Sequence, residues 1–207
     1  VRIPVAAEGW PFIFPPALAA CILAGVGWWA AAGVFAMPAL AFLGFFRDPE
    51  RRPPNVPGAV LAPADGKVME VVPTEDTWVG PAVRVSIFLS PLDVHINRAP
   101  VAGLVAAVDY ASGKFRAAYK PEASEVNERC TVAIEGSTRV AVRQIAGVLA
   151  RRIVCRVRTG DKLEAGERYG LIRFGSRTDL FVPSATELRV RVGDHVTGGE
   201  SIMGVLT

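Results

Sequence analysis

Three sites in this 207-residue chain hold residue types that could do chemistry. The first is Gly175-Ser176, where the apolar run Gly170-Leu171-Ile172-Arg173-Phe174 leads into a Gly-Ser pair followed by Arg177-Thr178-Asp179. A serine hydroxyl is a weak nucleophile at neutral pH unless a neighbouring group accepts its proton. The pair alone says little, because Gly136-Ser137 is a second one in the same chain and a plain turn is the ordinary reading of either. No GxSxG elbow surrounds Ser176, so a triad hydrolase gains no support. The second site is histidine, of which the chain has two. His195 stands in a Gly-Asp-His turn and reads as a solvated turn residue, whereas His95 follows an apolar run and the turn Ser90-Pro91-Leu92-Asp93. The third is Asp65-Gly66, which on its own reads as a hairpin turn. Cys21, Cys130 and Cys155 are widely spaced and contain no CxxC pair, which argues against a disulfide framework or a zinc ribbon and fits a reducing compartment. Two distant histidines among scattered carboxylates show no metal-ligand spacing, so no metal is expected.

The elements that must position these residues can be read from the pattern around them. After residue 50 the chain consists of short Val- and Ile-rich runs broken by Gly, Pro and Asp, which predicts a β-rich domain. Arg139-Val140-Ala141-Val142-Arg143 and Arg189-Val190-Arg191-Val192 alternate with the period of half-buried strands. Little helix is expected there beyond a turn near 122–128. An internal echo, VRTGDKLEAGE at 157–167 and VRVGDHVTGGE at 190–200, repeats at an offset of 33 residues and resembles the turn-and-strand units of barrel-sandwich carrier domains. Lys162 lacks the context of a modifiable carrier lysine, so the echo reads as architecture.

Ahead of the β-rich part, the stretch from Arg47 to Pro57 is charged and proline-rich, as a stiff connector would be. No charged side chain occurs between Glu8 and Arg47. A bilayer core of about 30 Å takes about 20 apolar residues as one helix, so this run is too long for a single upright span and predicts two short helices. Pro15-Pro16 suits a helix start, Gly25 and Gly27 a turn, and Pro38 a kink. Trp10, Trp28 and Trp29 suit the headgroup level, and Arg47, Arg51 and Arg52 place the downstream domain on the cytoplasmic side. A cleaved signal peptide and a buried soluble hairpin are the alternatives. The formal charge of +3 is spread over 23 basic and 20 acidic residues without a basic stripe, so no nucleic-acid partner is expected.

The segments FFRDPER, APADGKV, PLDVHINRAPVAG, NER and GLIRFGSRTD, in that order, resemble the short bacterial form of phosphatidylserine decarboxylase over nearly the whole chain. The resemblance implies a mainly β, barrel-sandwich-like pyruvoyl decarboxylase domain at 47–207 behind a membrane anchor at 1–46. It implies a proenzyme that cuts itself between Gly175 and Ser176 into a β chain, 1–175, and an α chain, 176–207. Ser176 would attack the Gly175 carbonyl, the amide would become an ester, and elimination followed by hydrolysis would leave a pyruvoyl cofactor at residue 176. Glycine suits the attacked position, having no Cβ to block approach. In turnover the cofactor would form a Schiff base with phosphatidylserine and, after loss of carbon dioxide, release phosphatidylethanolamine.

By the same resemblance His95 is an active-site residue, as base in maturation or proton donor in turnover, and Asp65 orients it or acts alone. Longer relatives carry a second histidine three places on, where this chain has Arg98, and arginine is no neutral base. Their Asp-His-Ser triad therefore cannot be copied unchanged. Arg98, Lys114, Arg129 and Arg177 are candidate partners for the anionic headgroup, with Asn127-Glu128-Arg129, itself a family motif, the leading group. The implied partners are phosphatidylserine, the lipid bilayer of the bacterial inner membrane and the two chains of one proenzyme, and a homodimer is left open. The rival readings are a pyruvoyl decarboxylase of a soluble amino acid, a membrane-tethered module without catalysis, and a serine hydrolase.

Overall fold

The computed structural model describes residues 4–116, 123–147, 152–173 and 176–206. The chain divides into two compact units, Val1–Glu50 and Arg51–Thr207.

The first unit is a helical hairpin. A 3-10 turn at Ala7–Gly9 leads into α1 (Trp10–Gly25), and α2 (Trp29–Phe45) returns. Helix α1 starts well before Pro15-Pro16, which lie inside it. Pro11 takes the starting role instead, because a missing N–H is harmless in the first turn. Gly27, at φ 80°, makes the turn between the helices, and Pro38 lies within α2. Phe12 stacks on Phe46 with ring centroids 5.6 Å apart, and Val5 bridges to Arg47, closing the open end. Both helices are apolar on every face, and Phe14, Leu18, Ile22, Trp28, Trp29 and Met37 lie exposed. Such a surface is unfavourable in water and at home in hydrocarbon. The helical stretch Ala7–Gly25, 19 residues long, is long and apolar enough to cross a bilayer.

The second unit is mainly β. Its elements in chain order are β1 (Ala59–Leu61), β2 (Gly66–Asp76), β3 (Gly80–Leu89), β4 (Ile96–Arg98), β5 (Gly103–Ala111), α3 (Ala123–Val126), β6 (Arg129–Gly136) and β7 (Arg139–Ile145), then β8 (Ile153–Cys155), β9 (Lys162–Leu163), β10 (Arg168–Ile172), β11 (Ser176–Pro183), β12 (Glu187–Leu188), β13 (His195–Val196) and β14 (Ile202–Val205). The helical turn expected near 122–128 is α3. Among the described residues the strands form an eight-stranded sheet in the order β13-β2-β3-β11-β7-β6-β5-β9 and two three-stranded sheets, β4-β10-β8 and β1-β14-β12. Every pairing between these strands is antiparallel.

The strand read at β7 is present with Val140 and Val142 in the core, though Ala141 between them is buried as well, whereas Arg189–Val192 forms no strand and ends in an exposed turn at Val192. Together with Val60, Val85, Ile87, Val132, Ile134, Ile172, Leu180 and Met203, Val140 and Val142 form one apolar interior, each such side chain contributing about 1.5–3 kcal/mol on burial. Strand β11 differs from its neighbours in being buried on both faces over residues 176–182.

The echo explains how the large sheet ends. Its two copies form the edge strands β9 and β13. In each copy a backbone N–H, of Arg158 or Arg191, donates to the aspartate three residues on, at 2.7 and 3.0 Å. Gly166 and Gly199 share φ 77°, a conformation costly for residues with a Cβ. The sheet curls until these two turns touch, so that a Cβ on Gly199 would stand 3.4 Å from the Gly166 Cα.

Candidate active site

Ser176 is the first residue of β11, which lies between β3 and β7, and it sits opposite Leu89 of β3. It is fully buried, and its Oγ has no hydrogen-bond partner among the described residues. Gly175, the expected point of attack, lies outside the described residues. On the upstream side, Leu171 of β10 pairs with Ile96 of β4, and the Ile172 N–H donates to the His95 carbonyl at 3.2 Å. One loop, Leu89 to Ile96, therefore holds both flanks of residues 173–175.

That loop carries His95, which is buried. Its Nδ1 lies 3.0 Å from the Asp93 carbonyl oxygen. A carbonyl can only accept, so Nδ1 bears the hydrogen of the neutral ring and Nε2 carries the lone pair that can take a proton. Asp93 also shapes the loop: its Oδ2 accepts the Ser90 N–H at 2.7 Å, and its Oδ1 lies 3.3 Å from Nε2 of His195, a largely exposed residue downstream of Ser176.

Asp65 ends the β1–β2 connection. Its Oδ2 accepts from Arg51 Nη2 at 2.7 Å and its Oδ1 from the Gly198 N–H at 2.8 Å. Arg51 also donates to Glu200, and the Arg52 N–H, followed by Arg51, holds the Glu200 carboxyl below its ordinary range. Arg98 is buried against the paired glycine turns. It donates to the Gly166 carbonyl at 3.0 Å, and its Cδ occupies the space that a Cβ on Gly199 would fill.

Residues along β11 alternate in direction. Arg177 and Asp179 point away from the face of Ser176, and both are buried in an ion network. Arg177 Nε donates to Asp179 Oδ1 at 2.6 Å, and its Nη2 donates to Ser86 Oγ at 2.7 Å and Glu70 Oε2 at 3.1 Å. Ser124 Oγ donates to Asp179 Oδ2 at 3.0 Å. On the Ser176 face, Thr178 meets Asn97 and Gln144, three fully buried residues that sequence reasoning missed. The signal was phase. Carried two places beyond Val142, the alternation of β7 puts Gln144 inward, and carried back from Val182 and Leu180 it puts Thr178 and Ser176 inward as well.

Asn127 works as a brace: its side chain accepts the Arg116 N–H at 2.9 Å and donates to the carbonyls of Arg116 and Ala146 at 2.8 and 2.7 Å. Glu128 is buried and accepts the Ile153 N–H at 3.4 Å. Arg129 opens β6, and Lys114 is exposed and bridges through its backbone to Asn127. Cys130 and Cys155 are unbridged thiols hydrogen-bonded to each other, which brings Cys155 down to about 7 and pushes Cys130 up.

Comparison with known proteins identifies the family. Residues 39–204 match the family model described as phosphatidylserine decarboxylase. The chain is 48% identical over 211 residues to the phosphatidylserine decarboxylase proenzyme of Nocardia farcinica, covering 99% of this chain and 88% of that protein. It is 48% identical to the corresponding proenzyme of Symbiobacterium thermophilum, with 98% and 95% covered, and 44% identical to that of Geobacter sulfurreducens, with 98% and 97% covered. The chain thus belongs to the phosphatidylserine decarboxylase family, the pyruvoyl-dependent and membrane-associated carboxy-lyases made as proenzymes.

Proposed function

We propose that this phosphatidylserine decarboxylase cuts itself at Gly175-Ser176, turns Ser176 into its pyruvoyl group, and uses His95 to move the protons of maturation or turnover. The product of decarboxylation is phosphatidylethanolamine. The observation that carries this reading is Ser176 itself: a fully buried hydroxyl with no hydrogen-bond partner among the described residues, at the head of a strand locked between two others. A pyruvoyl group fits that place, since the serine it replaces has no side-chain hydrogen bond to lose. Once formed, it supplies a carbonyl that accepts electrons as the substrate carboxylate leaves.

In maturation the Ser176 hydroxyl gives its proton to a base, the part His95 Nε2 plays if its step is maturation rather than turnover, and the Gly175–Ser176 C–N bond gives way to an ester C–O bond. Loss of the Ser176 α-proton then breaks the Cβ–O bond and frees the Gly175 carboxylate. One water replaces the Ser176 nitrogen, which leaves as ammonia, so the change balances without an external oxidant. The 176–207 piece stays in place because its β11, β13 and β14 pair, in two sheets, with strands of the 1–175 piece, and its β12 pairs with β14. Asp65, bound by Arg51 and the Gly198 N–H, anchors the start of β2, whose residues Lys67 and Val68 pair with Phe88 and Ile87 just ahead of the His95 loop. Of the polar groups considered for the headgroup, Arg129 is half-buried, whereas Arg98, Arg177 and Asn127 are buried and engaged within the fold, on the Gly166 carbonyl, on Asp179 and on the Ala146 carbonyl, and Glu128 is buried beside Asn127. Of the cations, Lys114 is an exposed one. The substrate stays in the bilayer by its two acyl chains, and the apolar hairpin keeps the enzyme on the same membrane. Arg47, Arg51 and Arg52 put the catalytic unit on the cytoplasmic side.

The test is intact mass under denaturing conditions for the wild type and Ser176→Ala, paired with carbon dioxide release from phosphatidylserine vesicles. Wild type should give two pieces, 1–175 and 176–207, the second with a blocked N-terminus. Ser176→Ala should stay one chain and release nothing. An uncut, folded and active wild type would sink the proposal.

A further inference from the structure

The strands on either side of the cut belong to different sheets. β10 is held by β4 and β8, and β11 by β3 and β7. In the proenzyme residues 173–175 connect them covalently. After cleavage that connection is gone, and only non-covalent ties can keep the new end at Ser176 against the loop that carries His95.

One side chain spans the two sheets at this point. Asn97 lies on β4, opposite Gly170 of β10. Its Oδ1 accepts from Gln144 Nε2 of β7 at 2.8 Å, and its Nδ2 donates to Thr178 Oγ1 of β11 at 3.1 Å. Gln144 and Thr178 are themselves register partners across β7 and β11. Gly170 makes the room, since a Cβ there would stand 3.0 Å from Gln144 Nε2 and 2.3 Å from the Val154 carbonyl oxygen. Asn97, Gln144 and Thr178 have no exposed surface.

The polar valences of this cluster are incompletely used. Gln144 Oε1 and Ser176 Oγ have no partner among the described residues. Thr178 Oγ1 already accepts from Asn97, so its own hydrogen points elsewhere, and Thr178 shares a strand face with Ser176 two residues before it. Buried polar groups are costly when unpaired, and an apolar trio of similar volume would fill the same space with none left over. A polar trio reaching the strand face of Ser176 calls for a role in its chemistry.

We propose that Asn97 is a positioning residue for maturation, a staple that through Gln144 and Thr178 keeps both flanks of the cut in register while the bond breaks and afterwards. The proposal rests on the reading of Ser176 as the cut site. Attack needs the hydroxyl and the carbonyl carbon held in near-contact, and small misplacements slow such steps steeply.

The test uses the full-length proenzyme, made by pulse-labelled cell-free synthesis with lipid vesicles. Conversion to two chains is timed for wild type, Thr178→Val, Thr178→Ser, Asn97→Leu and Ser176→Ala, and Tm is measured for each. Thr178→Val keeps the shape and removes the hydroxyl. It should slow conversion by about tenfold or more while melting within a few degrees of wild type, as should Asn97→Leu. Thr178→Ser, which restores the hydroxyl, should convert within about twofold of wild type. Conversion of Thr178→Val at the wild-type rate would overturn the proposal. So would a slowing that disappears once the temperature is low enough for the variant to be fully folded, because the role would then be stability alone. A wild type that behaves like Ser176→Ala would instead refute the cut site itself, and the staple with it.

Discussion

The helical hairpin and strand β11 depart from ordinary burial in opposite directions. In α1 and α2 large apolar side chains, among them Phe14, Ile22, Trp29 and Met37, are exposed on helices with no polar face. In β11 it is polar side chains that are hidden, with Ser176, Arg177, Thr178 and Asp179 all buried in succession. A soluble domain of this size would minimise both. On the function proposed above, each departure marks where the protein meets something other than water: hydrocarbon in the first case, a reacting group in the second. Within β11 the two faces divide the work. One face offsets the burial of charge with an ion network, and the other leaves the Ser176 hydroxyl unengaged.

Substitutions can test that contrast in order of expected effect. His95→Gln removes the basic nitrogen carried by the loop that holds the flanks of residues 173–175 and should slow self-cleavage, carbon dioxide release or both by about 10²- to 10⁴-fold. Following the two rates separately tells which step His95 serves, and two unchanged rates would remove it from the site. Asp179→Asn takes from the buried Arg177 guanidinium its fully buried carboxylate, leaving only that of the partly exposed Glu70, and should cost about 3–5 kcal/mol in urea unfolding of the catalytic unit. A loss below about 1 kcal/mol would mean that the network on that face is ornamental. Leu18→Asp places a charge in an exposed apolar helix. At about 3 kcal/mol of insertion cost, vesicle binding should fall by about a hundredfold, with self-cleavage unaffected; unchanged binding would show that α1 does not enter the bilayer. His195→Gln touches an exposed pair with Asp93 and should change stability by about 1 kcal/mol or less. A large effect there would mean that the His95 loop depends on its contact with the C-terminal strands.

Much of this was present in the order of the residues. The apolar run without charge and the turn at Gly25 to Gly27 predicted the hairpin, because chain length and polarity alone decide what can sit in a bilayer. The alternating Val and Ile runs predicted the β-rich domain, and five ordered motifs pointed to the family and to Ser176. Helix α1 began earlier than its proline pair suggested, since Pro11 was already available for the first turn.

Only the tertiary structure showed that the two copies of the echo close the two edges of one sheet and meet at Gly166 and Gly199. Only there did Asp65 find Arg51, His195 find Asp93, and Asn97 come between Gln144 and Thr178, partners 47 and 81 residues away along the chain. Local pattern fixes which way a side chain points on its own strand. Which strand lies opposite depends on how the sheets pack, and that is settled by contacts between residues far apart in sequence.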